Sequence, residues 1–192
     1  MCSKLLGDAR LYEMLLKCDD DLAATVRQGG CTCGGVLHSA RIPRKPRGAG
    51  VTLPEGYDRR HSFCCAEDGC RKRATPPSLR FLGRKVYLGT VVALVTAMTQ
   101  GMTGRRMAEL RRAVGVSRQT LARWRAWWRE VFPLTPFWQE ASALLSPPAS
   151  VEELPASLVA RFADGAMAED VVRLLMFIRP ITTGWAGGTR EG

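Results

Sequence analysis

Apolar positions along this chain recur at helical spacing almost everywhere and alternate in one short stretch only. Leu11, Leu15, Leu22 and Val26 stand at helical intervals, which predicts one or two short N-terminal helices, with Asp19 as the N-cap of the second and Gln28-Gly29-Gly30 as the stop. From Cys31 to Thr75 large apolar residues thin out, and turn formers take over at Pro43, Pro46, Gly48, Gly50, Pro54 and Gly56. Arg60–Cys65 alternates as a short strand does, and Pro76-Pro77 closes the region. Helical periodicity returns at Val86 and predicts helices over roughly 86–100, 104–114 and 118–131. Thr135-Pro136 sets an N-cap before a proline at the first helical position, restarting a helix that runs to about Leu145. After a linker at Ser146-Pro147-Pro148, the stretches Leu154–Phe162 and Met167–Ile178 are amphipathic. Arg179-Pro180 stops the second, and Gly184–Gly192 reads as a frayed tail.

Val86–Gly104 carries no charge across nineteen residues, close to the length of a membrane span. Its continuously apolar part is only Val91–Val95, however, and it holds Thr90, Thr96, Thr99, Gln100 and Thr103 among glycines. Basic residues flank both sides, so the orienting bias of a spanning segment is missing. A buried helix is the expectation, and no membrane partner.

Charge sharpens this outline. The net charge is +10 with a pI near 9.8, which favours a polyanionic partner. Residues 31–85 hold twelve basic and four acidic side chains, and residues 104–130 hold eight and two, whereas residues 131–192 hold four and seven. A compositional bias would not spare the last sixty or so residues; the excess is localised, as on a functional surface. Five of the seven cysteines fall between Cys31 and Cys70. The acidic residues Asp8, Glu13 and Asp19–Asp21 break up any secretory signal, so a cytoplasmic, nucleoid-associated location with reduced thiols is expected.

Tetrahedral zinc takes four thiolate or imidazole ligands, typically two from each of two tight glycine-assisted turns. Cys31 and Cys33, followed by Gly34-Gly35, offer the first pair. The second comes from Cys64-Cys65-Ala66-Glu67-Asp68-Gly69-Cys70. Adjacent strand residues point to opposite sides, so one of Cys64 and Cys65 accompanies Cys70. Cys65 gives the shorter turn and leaves Cys64 to pack inward. The expected ligands are therefore Cys31, Cys33, Cys65 and Cys70. The first knuckle is one residue shorter than the usual Cys-x-x-Cys, which keeps Cys64, His38 and His61 open as replacements. With four thiolates the site would be structural, since catalytic zinc keeps an open position.

Met107–Ala126 is the sharpest feature. Leu110 and Val114 lie one turn apart on a first helix, Gly115 suits a tight turn, Val116 fills the elbow and Ser117 caps a second helix. Leu121, Trp124 and Trp128 give that helix a buried stripe. Arg118, Gln119, Ala122 and Arg123 are then left outward at the N-terminal end, which in a helix-turn-helix enters the major groove. Arg118 and Arg123 suit guanine and Gln119 adenine. Ser117, Thr120, Arg105, Arg106, Arg125 and Arg129 are placed for phosphates, and Arg71 and Arg73 of the ribbon join the DNA-binding set. Arg111 stands where this motif usually has a small residue.

Cys31–Trp128 resembles the N-terminal region of certain bacterial insertion-sequence transposases and the small proteins encoded beside them. The likeness rests on Cys33-Gly34-Gly35, Phe63-Cys64-Cys65, Cys70-Arg71-Lys72-Arg73, Thr75–Arg84 and Thr120-Leu121-Ala122-Arg123-Trp124, about half the chain. It implies a zinc ribbon and a helix-turn-helix that recognise transposon-end or related DNA, with metal at Cys33, Cys65 and Cys70; Cys31 departs from the pattern. It does not extend to catalysis, which needs three carboxylates holding two metal ions. Glu140, Glu152, Glu153, Asp164, Glu169 and Asp170 instead lie on helical or linker segments.

The fold class expected is mainly α: a helix-turn-helix bundle with a small loop-rich β zinc ribbon inserted after an N-terminal helix. Its segments are an N-terminal helix (1–30), a basic ribbon (31–85), the helix-turn-helix domain (86–146) and a C-terminal helical region with tail (147–192). The function expected is DNA binding without enzymatic chemistry, as an accessory or regulator of a mobile element. Two alternatives stay open: an RNA binder, and a protein-interaction module docking a transposase or polymerase through its C-terminal helices. The oligomeric state is left open.

Overall fold

The computed structural model describes residues 5–49, 51–82, 89–98 and 103–183, the Met98 and Arg106 side chains excepted. Cys2, the Gly83-Arg84 end of the Thr75–Arg84 motif, residues 86–88 and 99–102 of the uncharged Val86–Gly104 stretch and the Gly184–Gly192 tail lie outside the described residues. The described chain is mainly helical, with a small three-stranded antiparallel sheet.

Leu11, Leu15, Leu22 and Val26 fall on one continuous helix, α1 (Ala9–Gly29), with no second start at Asp19. Asp8 caps it by accepting from the Arg10 N–H, and Gly30, at φ +67°, ends it. No breaker interrupts Cys18–Asp21, and Asp19 falls on the buried stripe with Leu11, Tyr12, Leu15 and Ala23. Asp19 is therefore not a cap. Its carboxylate is 2% exposed and serves the interior.

Strands β1 (Leu37–Pro43), β2 (Arg59–Cys65) and β3 (Arg73–Ala74) pair in that order, with Leu37 opposite Cys65 and Phe63 opposite Ala74. Leu37, Phe63 and Cys65 pack on Ala23 of α1 in a small apolar cluster of their own. The main core gathers buried residues from Leu5 to Ile178. At its centre runs α2 (Gly89–Met98), where Thr90 to Val95 are all buried. A helix enclosed on every side has no face for a charge, which explains the uncharged stretch. No helix among the described residues is long and apolar enough to cross a membrane.

Around α2 pack α3 (Gly104–Ala113), α4 (Arg118–Ala126), α5 (Pro136–Ala141), α6 (Ala156–Arg161) and α7 (Met167–Ile178). Beyond α4 the helical path continues through a wider π-type turn, Trp127–Val131. Thr135 restarts the chain as expected, its hydroxyl accepting from the Trp138 N–H at 3.2 Å. Past Ser146–Pro148 the core does not begin afresh: Leu154, Leu158, Val171 and Ile178 share one cluster with Leu11 and Trp128.

A buried ion pair joins α1 to this core. Asp19 Oδ2 accepts from Arg80 Nε at 2.7 Å and from Ser78 Oγ at 2.5 Å, while Oδ1 accepts from the Leu79 N–H at 2.6 Å. Arg80 is fully buried and also donates to the carbonyls of Tyr57 (2.8 Å) and Arg59 (3.0 Å), with its guanidinium 5.1 Å from the Tyr57 ring centroid. The Thr182 hydroxyl accepts from the Ser78 N–H at 2.8 Å, and Arg60 donates to the Thr182 carbonyl at 2.5 Å, so the chain's last described turn docks on the same joint.

Removing one member strands the other's charge in the interior, a loss of about 3–5 kcal/mol. Asp19→Ala and Arg80→Ala should each lower the urea midpoint accordingly. The double variant Asp19→Ala/Arg80→Ala should lose clearly less than the sum of the singles. Strict additivity in equilibrium unfolding would contradict the coupling.

Candidate metal centre and candidate nucleic-acid interface

Two tight turns bring four sulfurs together. In the first, Gly34 N–H donates to the Cys31 carbonyl at 2.8 Å and Cys31 N–H to the Gly35 carbonyl at 3.0 Å, with Gly34 at φ +83°. In the second, the Cys70 and Arg71 N–H groups both donate to the Glu67 carbonyl at 3.0 Å, and Arg71 adopts φ +46°. The sheet aligns the two: Ala66 N–H reaches the Val36 carbonyl and Cys65 N–H the Lys72 carbonyl, each at 2.9 Å.

The Sγ atoms of Cys31, Cys33, Cys65 and Cys70 lie within 4.8 Å of one another. Cys31 and Cys70 are 3.6 Å apart and Cys33 and Cys65 3.5 Å, contacts well beyond a disulfide bond. A tetrahedral ion with metal–sulfur bonds of about 2.3 Å sets its sulfurs about 3.8 Å apart. The four cysteines can thus hold a metal ion with small adjustments. Gly35 shows how close the walls stand, since a Cβ there would come within 2.8 Å of Cys65 Sγ and 2.6 Å of Glu67 Cγ.

Of the ligands left open by sequence, Cys64 turns to the other side of the strand. It is half-buried rather than inward-packed, and its thiol donates to the Arg71 carbonyl at 3.6 Å. His61 Nε2 sits 2.6 Å from Asp20 Oδ1, and His38 is exposed on β1. Neither histidine is among the clustered donors.

Electrostatics explains why such a cluster calls for a cation. The Cys33 backbone N–H, aided by neighbouring thiols, carries the Cys31 thiol down to about 6. The Glu67 N–H also favours ionisation of Cys65, but burial and the surrounding sulfurs outweigh it and push that thiol up to about 12. At Cys70 the Lys72 N–H likewise favours the thiolate, yet Cys33, burial and Cys31 together raise it. The Cys31 proton leaves readily, whereas those of Cys65 and Cys70 are held back by burial and the neighbouring sulfurs.

The second candidate surface is the α3–α4 pair. Gly115 occupies φ +63° between the helices, and the Ser117 hydroxyl accepts from the Thr120 N–H at 3.1 Å to cap α4. Leu110, Val114, Val116, Leu121, Trp124 and Trp128 are all buried, the stripe expected from their spacing. Trp128 meets Phe132 at a ring-centroid distance of 4.7 Å, and Phe132 meets Trp138 at 4.9 Å, which anchors the C-terminal end of α4.

Opposite that stripe, Ser117, Arg118, Gln119, Ala122, Arg123 and Arg129 are exposed. Arg105 is exposed beside Glu109, its Nε 3.3 Å from the carboxylate, and Arg125 is half-buried; the Arg106 side chain lies outside the described residues. Arg71, paired with Asp68, and Arg73 are exposed on the cysteine lobe. Thr120 differs from expectation. It is 8% exposed, and its hydroxyl bonds Ser117 Oγ at 2.9 Å and accepts from Arg123 Nη2 at 3.2 Å. It positions the cap and Arg123 and has no free face for a phosphate. Arg111, at the motif position that usually holds a small residue, lays its guanidinium along the turn and donates to the Val116 carbonyl at 3.3 Å.

Comparison of the chain with protein-family models, with curated proteins and with solved structures finds no match.

Metal binding must displace at least the protons of Cys65 and Cys70. Apparent affinity should therefore fall about a hundredfold or more per pH unit on acidification below neutrality, as read by competition with a chromophoric chelator. A flat profile would rule out a thiolate site. Gly35→Ala should weaken binding while leaving far-ultraviolet helicity unchanged.

Proposed function

We propose that this protein binds DNA through the α3–α4 pair, a helix-turn-helix with α4 as its recognition helix, and that structural zinc braces the cysteine lobe. The observation that carries the reading is the division of α4 into two faces. Leucine and tryptophan seat it, and Arg118, Gln119 and Arg123 are exposed on its opposite side. The N-terminal end of a recognition helix meets base edges in the major groove, where arginine pairs with guanine and glutamine with adenine. Arg105, Arg112 and Arg129 are exposed for the flanking phosphates.

Zinc is the ion that four thiolates without an open position suit best, and such a closed set supplies structure, not chemistry. The ribbon's apolar cluster has only four buried members, too few to order the lobe unaided. Arg71 and Arg73 would extend the positive surface from this lobe. In keeping with the sequence resemblance, the protein would act as an accessory or regulatory DNA binder of a mobile element.

A second reading draws on a different observation. Val131 and Leu134, just beyond α4, and Leu144, after α5, are 50%, 72% and 81% exposed, and they would suit contact with a protein partner such as a transposase.

Sequence-selected duplex should bind with affinity that falls steeply as salt rises, because each phosphate contact releases counterions. Arg118→Ala and Arg123→Ala should each cost about 1–3 kcal/mol at that site. Unchanged gel-shift titrations for both variants would defeat the assignment of α4.

A further inference from the structure

Beside the apolar cluster that also holds Cys65, a cleft of about 570 Å³ opens between the C-terminal half of α1 and the outer part of the β1–β2 sheet. Its size is that of a small-ligand site. The His61–Asp20 bond of 2.6 Å crosses it from β2 to α1 and fixes the spacing of its two walls.

The lining combines three chemistries. Ala23, Ala24 and Phe63 give it an apolar wall. Gln28 and Ser39 offer an amide and a hydroxyl, both on exposed residues. Arg27 from α1 and Arg41 from β1 bring two guanidinium groups from opposite walls, and among the described residues neither has a carboxylate partner. Asp20 is the one acidic side chain in the lining, and His61 occupies its Oδ1.

We infer that this cleft binds a single nucleotide, its phosphate held between Arg27 and Arg41 and its base against Ala23, Ala24 and Phe63. A bare anion would use the arginines but leave the apolar wall without an occupant. An uncharged aromatic would leave the two arginines of the lining without a counter-charge. A nucleotide satisfies both, with Gln28 and Ser39 in reach of base-edge or sugar groups. The nucleotide is either free or the unpaired terminal residue of a DNA strand, which share this chemistry. The inference is independent of the reading of α4.

Calorimetric titration of the full-length, metal-loaded protein tests it with adenosine monophosphate, adenosine, inorganic phosphate, and a short duplex with or without a single-stranded overhang. Saturable binding of the monophosphate at least tenfold tighter than of adenosine or phosphate supports a free nucleotide. Tighter binding of the overhang duplex alone supports a strand terminus. In either case Arg27→Gln/Arg41→Gln should weaken the interaction tenfold or more, and Ala24→Phe, which fills the cleft while keeping its charges, should abolish it. Both changes fall on exposed residues, and circular dichroism with metal stoichiometry verifies folding. Arg118→Ala/Arg123→Ala should leave it intact, which separates this site from α4. Absence of binding by every phosphorylated probe, equal affinity for phosphate alone, or insensitivity to both cleft variants would overturn the proposal.

Discussion

One carboxylate on the inner side of α1 decides how the parts of this molecule sit together. Asp19 and Arg80 bury opposite charges where water cannot compensate them, so every polar atom of the pair needs a protein partner. The carboxylate takes three donors from residues 78–80, and the guanidinium takes the carbonyls around Tyr57 and Arg59. Only one mutual placement of α1, the loop before β2 and the segment after β3 meets all these demands. The pair therefore contributes specificity of arrangement more than net stability. Since the sheet rests on Ala23, one turn further along α1, the cysteine lobe inherits its position from this joint.

The lobe itself is organised by a different force. Its apolar cluster is small, and its first turn needs Gly34 at positive φ and Gly35 beside the Cys33 and Cys65 sulfurs. Four thiols at these separations repel once ionised, and a bound cation converts that repulsion into attraction. A metal ion held by the four cysteines would order the knuckles locally, whereas the buried ion pair ties the strand that bears them to the helical core.

Much of this was legible from sequence wherever the signal was local. The stripe from Leu110 to Trp128, the glycine turn, the Ser117 cap and the Thr135 restart each depend on residues within about two helical turns, and periodicity exposes them. The cysteine set was legible because strand alternation separates Cys64 from Cys65. What escaped depends on partners distant in the chain. Asp19 looked like a cap because aspartate prefers helix starts, and nothing nearby announces Arg80, sixty-one positions later. His61 looked like a spare ligand until the fold set Asp20 against it. Thr120 looked exposed because its polarity said so, whereas the i, i+4 relation to Trp124 places it on the buried face.

In the proposed reading these levels converge on α4, a short cationic helix whose rigid aromatic seat allows three polar side chains to be presented without ordering cost. Nuclear magnetic resonance of the metal-loaded, isotope-labelled protein during titration with a duplex selected from a random pool tests that claim most directly. The account predicts the largest amide and arginine side-chain shifts at Ser117–Arg123, with residues around Asp19 and Arg80 unmoved. Shifts concentrated at Leu134–Leu144 or across α7, with Ser117–Arg123 silent, would contradict it.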